Sequence, residues 1–108
     1  MNTIRLGLLG CGNVGSALVR QIEAQRSDIA ARTGIALEVG GIAVRNLALE
    51  RDVPVAHEVF THDADELVLR PDIDVVVEMI GGIEPARRLI LAALQAGKPV
   101  ITATQMLI

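Results

Sequence analysis

The sequence predicts an α/β fold: a doubly wound parallel sheet of about five strands with helices on both faces. Short apolar runs alternate along the chain with segments of helical periodicity. In addition, 51% of the 108 residues are hydrophobic, yet Phe60 is the single aromatic residue. A core of Val, Ile, Leu and Ala is typical of parallel sheets that are buried on both faces. The length corresponds to one domain, so we expect residues 1–108 to form it.

The first element is a strand that runs straight into three glycines, I-R-L-G-L-L-G-C-G-N-V-G. Gly10 permits a tight turn, Gly12 lets the backbone approach a pyrophosphate, and Gly15 lets the next helix pack closely on the strand. That helix opens at Asn13 or Val14 and directs its free N–H groups and positive dipole end toward the phosphates. The pattern predicts a dinucleotide site; an ordinary strand–turn–helix is the alternative.

The first helix is predicted by apolar residues that recur at helical spacing, and it should end at about Gln25. These residues are Val14, Ala17, Leu18 and Ile22. Ser27 can cap a second short helix over residues 28–33, which Gly34 would end. A polar surface loop fits residues 28–33 equally well.

The second strand, residues 37–44, ends at a position that affects the choice of cofactor. In many NAD-binding domains an acid here accepts hydrogen bonds from the ribose 2′-hydroxyl, whereas an arginine accommodates the 2′-phosphate of NADP. Arg45 is a fork-shaped, permanently charged donor that suits a phosphate. No acid stands at Val44, Arg45 or Asn46. This favours NADP, with NAD possible and an ordinary solvated arginine as the alternative.

The middle of the chain carries weaker signals. Residues 59–60 are predicted to form a short third strand, and Thr61 or Asp63 could cap a helix over residues 64–69 that Pro71 ends.

The fourth strand is predicted over residues 72–79, an apolar and largely β-branched run that leads into Ile80 and two glycines. There the bare backbone could approach a ligand at the carboxyl edge of the sheet. Glu78 lies near that edge; it could face the cofactor, but we favour a structural hydrogen-bonding role.

The last helix begins near Pro85 and ends at Gly97, which is placed for a left-handed C-cap. Its predicted apolar stripe consists of Ala86, Leu89, Ile90, Ala93 and Leu94. Residues 100–102 then make a fifth strand. This alternation predicts a Rossmann-like sheet with strand order 3-2-1-4-5 and the ligand bound across strands one and four.

Composition and charge argue against several functional classes. The net charge of −3 and the near-absence of aromatic residues give no basis for nucleic-acid binding. His57 and His62 match no metal-ligand spacing, so we interpret them as surface histidines and predict no metal. No signal peptide or membrane span is visible, and Cys11 is the single cysteine, so we expect no membrane association and a cytoplasmic location.

Three separated landmarks closely resemble the N-terminal nucleotide-binding domain of homoserine dehydrogenase. They are G-L-L-G-C-G-N-V-G, V-V-V-E-M-I-G-G-I-E-P-A and G-K-P-V-I-T-A, and the resemblance covers residues 4–103. The resemblance implies an oxidoreductase that interconverts L-homoserine and L-aspartate 4-semialdehyde with NAD(P)H, in the biosynthesis of threonine, methionine and isoleucine. It also implies cofactor contacts at Gly10, Cys11, Gly12, Asn13, Val14, Gly15, Val44, Arg45, Ile80, Gly81, Thr102 and Ala103.

The chain departs from the resemblance at its end. The family continues T-A-N-K-A-L, with a lysine that acts as a base or orients the substrate, whereas this chain has Gln105 at that position. Loss of a positioned acid–base group typically costs about 10²–10⁴-fold in rate. We therefore assign no catalytic residue. We expect a fragment that lacks the catalytic and dimerisation domain, does not turn over alone, and could self-associate.

Two other functions use a similar first turn. A stand-alone nucleotide-sensing regulatory module is the main alternative, but such modules more often carry an acid where this chain has Arg45, and they lack the I-G-G-x-E-P block. A methyltransferase is less favoured, because the three-glycine spacing matches a phosphate-binding turn.

Overall fold

The computed structural model describes residues 2–48, 51–80 and 85–102. Within them, five parallel strands form one sheet: β1 (Asn2–Leu9), β2 (Ile35–Ala43), β3 (Phe60–Thr61), β4 (Val75–Glu78) and β5 (Val100–Thr102). The helices in the same ranges are α1 (Asn13–Thr33), α2 (Ala64–Leu69) and α3 (Ala86–Gln95), with a 3-10 turn at His57–Val59. The strand order is β3-β2-β1-β4-β5 and every pairing is parallel, which confirms the predicted order and fold class.

The sheet is covered on both faces, because successive strand residues point in opposite directions. On β1, Leu8 packs in a cluster with Val19 of α1, whereas its neighbour Leu9 packs in a second cluster with Leu67 of α2 and Leu89 of α3. All five side chains are at most 1% exposed. The buried members of both clusters are all aliphatic, as the composition predicts.

The first helix is continuous, so the prediction of a break near Gln25 was wrong. α1 runs for 21 residues and passes through Ser27 without interruption. No glycine or proline occurs between Ser16 and Thr33, and most residues there favour helix, so nothing in this segment ends the helix. Gly34 ends it as predicted: its φ is 73°, and its N–H donates to the Ala30 carbonyl.

The buried faces of two helices differ from the predicted stripes. Gly15, Val19 and Ile22 are the buried residues of α1, whereas Val14 and Ala17 are exposed. The close packing of Gly15 against the turn sets the rotation of the helix and points Val14 outward. On α3, Ala86, Leu89 and Ala93 are buried as predicted and Ile90 is partly buried, but Leu94 is 52% exposed.

The other boundaries lie within a few residues of the predictions. Residues 72–74 precede β4 and are not part of it: a turn lies at residues 71–72, Asp72 binds Arg70, and Asp74 accepts a hydrogen bond from the Arg5 N–H at 2.9 Å. α2 has the predicted bounds, and its cap is Asp63, whose Oδ1 accepts from the Glu66 N–H at 3.0 Å.

Candidate dinucleotide-binding site

The turn after β1 has the geometry that the three glycines predict. Gly10 has φ of 99°, a conformation that side chains with a Cβ rarely adopt, and its N–H donates to the Ala43 carbonyl at 2.8 Å. This hydrogen bond ties the turn to the end of β2. The turn therefore lies at the carboxyl edge of the parallel sheet, where ligands of this architecture bind.

The next two glycines differ in their surroundings. A Cβ added at Gly12 would meet no atom within 4 Å, so the backbone there borders open space. A Cβ added at Gly15 would lie 3.1 Å from the Gly10 carbonyl oxygen and 3.3 Å from Cε of Met79. Gly12 thus leaves room for a ligand, whereas Gly15 allows the helix to approach the turn.

Among the described residues, the N-terminus of α1 has N–H groups that no side chain caps and no acid in its first turn that would repel an anion. The first helical hydrogen bond joins the Ser16 N–H to the Gly12 carbonyl at 2.8 Å. The N–H groups of Asn13, Val14 and Gly15 therefore precede the helical ladder, and they supply the donors and the positive dipole end that suit an anion.

An open cleft of about 730 Å³ begins at this turn. It is bordered by the turn after β1, the ends of β2 and β4, and the starts of α2 and α3. The lining residues are Gly10, Cys11, Gly12, Ala43, Val44, Arg45, Arg51, His62, Asp63, Ala64, Asp65, Met79, Ile80, Pro85, Arg88 and Leu89. This volume is in the range of small-molecule and cofactor sites.

The structure brings together most of the predicted contact residues that it describes. Six of them line the cleft: Gly10, Cys11, Gly12, Val44, Arg45 and Ile80. Asn13, Val14 and Gly15 form the adjacent first turn of α1. Thr102 is separate, since it lies on β5 opposite Glu78 and does not line the cleft. Gly81 and Ala103 lie outside the described residues, as does Gln105.

Cys11 and Glu78 have structural contacts at the cleft. The Sγ of Cys11 lies 3.6 Å from Oγ of Ser16. Glu78 is 2% exposed, and its Oε2 accepts a hydrogen bond from the Ile80 N–H at 2.8 Å. Glu78 thus makes the structural hydrogen bond that the sequence favoured, and it fixes the backbone at the exit of β4.

The cleft also contains charged residues that the sequence did not assign to it. Arg51 donates from Nη1 to the Asn46 carbonyl at 3.0 Å and lies 5.5 Å from the Phe60 ring centroid. Asp65 of α2 forms an ion pair with Arg88 of α3. The rule that ligands bind beyond the carboxyl ends of strands could have indicated the residues after β3, but nothing local marks Arg51 or Arg88.

Two further observations concern metals and membranes. His57 and His62 are both exposed, and the described part of the chain contains no group of three or more His, Cys, Asp or Glu residues that could hold a metal ion. No helix within the same residues is long and apolar enough to cross a membrane.

The sheet order, the glycine turn and the open cleft together define a dinucleotide-binding domain of the Rossmann type. The family model described as "Homoserine dehydrogenase, NAD binding domain" matches residues 10–108. The chain belongs to this family, as the three sequence landmarks predicted, and its cofactor is a nicotinamide dinucleotide.

The relatives of this chain are longer proteins. Homoserine dehydrogenase of Mycobacterium tuberculosis is 48% identical over 105 residues, which make up 97% of this chain and 23% of that protein. The Corynebacterium glutamicum enzyme is 45% identical over 107 residues, 99% of this chain and 24% of that protein. The chain thus spans about a quarter of the length of these curated relatives.

Solved structures give the same result for the fold. The crystal structure of S. aureus homoserine dehydrogenase at pH 8.5 has a TM-score of 0.92 and 34% identity, with 99% of this chain and 27% of that chain covered. The homoserine dehydrogenase from Thiobacillus denitrificans has a TM-score of 0.81 and 39% identity, with 95% and 24% covered.

Proposed function

We propose that this chain binds NADP(H) and serves as the cofactor-binding part of a homoserine dehydrogenase. That enzyme interconverts L-homoserine and L-aspartate 4-semialdehyde. The observation that carries the proposal is the glycine turn, which opens an uncapped helix N-terminus onto the same cleft that Arg45 lines.

The backbone of the turn would hold the pyrophosphate. Gly12 leaves its surroundings open, so the phosphates can approach the N–H groups of the first turn of α1 without meeting a side chain. No acid in that turn opposes the negative charge. Cys11, Asn13 and Val14 would take part through their backbone, and Gly15 through the close helix packing.

The end of β2 would select the cofactor. Val44 is buried and Arg45 is exposed at the cleft, directly after the strand. A guanidinium there can bind the 2′-phosphate of NADP through paired hydrogen bonds. As the resemblance implies, Ile80 and Gly81 would border the cofactor after β4, and Thr102 and Ala103 after β5.

The bound nicotinamide supplies the hydride chemistry, and this chain's residues bind and orient it. We propose that the chain alone does not turn over, because Gln105 stands where the resemblance places a lysine and cannot carry a proton or a charge. The partner would be a C-terminal catalytic and dimerisation region of the same parent protein, in a cytoplasmic homo-oligomer.

The test is a titration of the 108-residue chain with NADPH and, separately, with NADH, followed by cofactor fluorescence. We expect a saturable change for both and tighter binding of NADPH. No saturable change at millimolar NADPH would contradict the binding proposal. Measurable oxidation of L-homoserine by the chain alone would contradict the proposal that it lacks turnover.

A further inference from the structure

The cofactor cleft contains two carboxylates on the wall formed by α2, and each has a partner. The Oδ1 of Asp63 accepts the Glu66 N–H and so caps the helix. Asp65, two residues further on, forms an ion pair with Arg88, which reaches it from α3. The ion pair joins two helices whose N-terminal ends border the same cleft.

A carboxylate in this cleft is unfavourable for the proposed ligand. A phosphate monoester carries about −1.5 to −2 charges at neutral pH, and the pyrophosphate of a dinucleotide adds more. Because Asp65 lines the same cleft as Arg45, its charge would oppose the 2′-phosphate that Arg45 is placed to attract. The carboxylate of Asp65 can be tolerated there if an adjacent positive charge neutralises it.

We propose that Arg88 is a positioning residue for NADPH binding that acts through Asp65. By pairing with Asp65, Arg88 removes an opposing negative charge from the cleft and leaves Arg45 to attract the phosphate. This inference rests on the proposed function and identifies a further determinant of it. Arg88 differs in this role from Arg45, which would contact the phosphate itself.

Two other roles for Arg88 make different predictions. If Arg88 bound the cofactor directly, its loss would weaken binding equally whether residue 65 is charged or neutral. If the ion pair served only to hold α2 against α3, then removal of either partner would weaken binding alike. Under neutralisation, loss of Arg88 is harmful only while Asp65 keeps its charge.

The experiment is a double-mutant cycle of Arg88→Ala and Asp65→Asn, with dissociation constants for NADPH, NADH, 2′,5′-ADP and 5′-AMP, which lacks only the 2′-phosphate of 2′,5′-ADP. Both side chains are more than half exposed. We therefore expect Arg88→Ala to weaken NADPH and 2′,5′-ADP by about twofold to fivefold at low ionic strength, and NADH and 5′-AMP by less. Asp65→Asn alone should bind NADPH at least as tightly as the wild type, and it should restore affinity in the Arg88→Ala background.

Arg87→Ala is the matched control, since Arg87 lies on the same helix, is exposed, carries the same charge and does not line the cleft. It should leave all four constants unchanged. Thermal unfolding of each variant separates binding from stability. Equal losses from Arg88→Ala in both backgrounds, or weaker binding by Asp65→Asn alone, would overturn the inference. If wild-type chain fails to bind NADPH, the proposed function itself fails, which is a distinct result.

Discussion

Gly15 lies directly against Gly10: a Cβ on Gly15 would stand 3.1 Å from the Gly10 carbonyl oxygen. That oxygen belongs to a residue whose own N–H is held by the Ala43 carbonyl at 2.8 Å, so the turn cannot move away freely. We expect Gly15→Val to lower the free energy of unfolding by about 1–3 kcal/mol, the usual cost of overpacking. Urea unfolding would measure it. A loss below the error of the extrapolation would show that helix and turn can separate without strain.

Gly12 provides the opposite case. Its φ of −88° and ψ of −150° are accessible to other residues, and a Cβ there would meet no atom within 4 Å. Asn is a favourable helix N-cap, so Gly12→Asn should keep or slightly raise the stability of the fold. The same side chain would occupy the phosphate approach and compete for the helix N–H groups, so NADPH affinity should fall more than about tenfold, or about 1.4 kcal/mol.

In Gly12→Asn, the free energy of unfolding should therefore stay the same or rise while NADPH affinity falls. In Gly15→Val, the expected main effect is a lower free energy of unfolding. Wild-type NADPH affinity in Gly12→Asn would show that the cofactor does not approach this part of the backbone.

The fold was predictable from the sequence because its signals are local. Asp63 caps the start of α2, Pro71 follows its end, and Gly34 ends α1 with its left-handed conformation. The rotation of α1 was not predictable, because Val14 and Val19 are equally apolar. The contact of Gly15 with the turn decides which of the two valines is buried, and this contact is a tertiary effect.

The candidate site was predictable only in part, for a related reason. The glycine turn and Arg45 lie next to strand ends and could be assigned by position. Asp65 and Arg88 are 23 residues apart, and each alone is typical of a solvated helix face. Only the packing of α2 beside α3 brings them together, so no local pattern could place them in the cleft.

Arg45 is the residue that should separate NADPH from NADH. Charge-assisted hydrogen bonds contribute about 1.5–3 kcal/mol, so Arg45→Ala should weaken NADPH by about tenfold to a hundredfold. NADH lacks the 2′-phosphate and should change by less than about twofold. Parallel titrations of the two cofactors measure the ratio, with Arg87→Ala as the charge-matched control. Equal losses for both cofactors would remove the basis for preferring NADP.

An ion pair near the amino end of β4, at the opposite end of the strand from the cleft, has an effect on stability that depends on pH. The hydrogen bond from Arg70 is the main cause that lowers the pKa of Asp72; the Nη2–Oδ2 distance is 2.6 Å, and Arg5 adds a weaker attraction at 3.8 Å. A carboxyl group with a lowered pKa in the folded state stabilises the fold at pH values above its unfolded pKa of about 4. That contribution is lost as the pH falls through the lower, folded pKa.

Asp72→Asn should therefore cost stability at pH 7, and this cost should shrink as the pH falls below the unfolded pKa of about 4. Because the side chain is 40% exposed, the difference at pH 7 should be less than about 1 kcal/mol. Denaturant unfolding of the variant and the wild type at pH 7 and at a series of lower pH values provides the test, and Asp28→Asn, on an exposed helical pair, serves as the comparison. A difference that stayed constant with pH would show that the carboxylate charge is not its source.

Glu78 connects the core to the candidate site, because its buried carboxylate accepts the N–H of Ile80, which lines the cleft. Glu78→Ala would remove this acceptor, and an unpaired N–H costs about 1–3 kcal/mol when it is buried. Because this hydrogen bond is only partly buried, we expect a loss of stability near the lower end of that range, together with weaker NADPH binding, since the backbone after β4 is no longer fixed. Glu78→Gln keeps an oxygen that can accept the same hydrogen bond, so both properties should stay closer to those of the wild type. Unfolding and NADPH titration on the two variants distinguish the roles. If Gln proved as damaging as Ala, the hydrogen bond to Ile80 would not be what the site requires of Glu78.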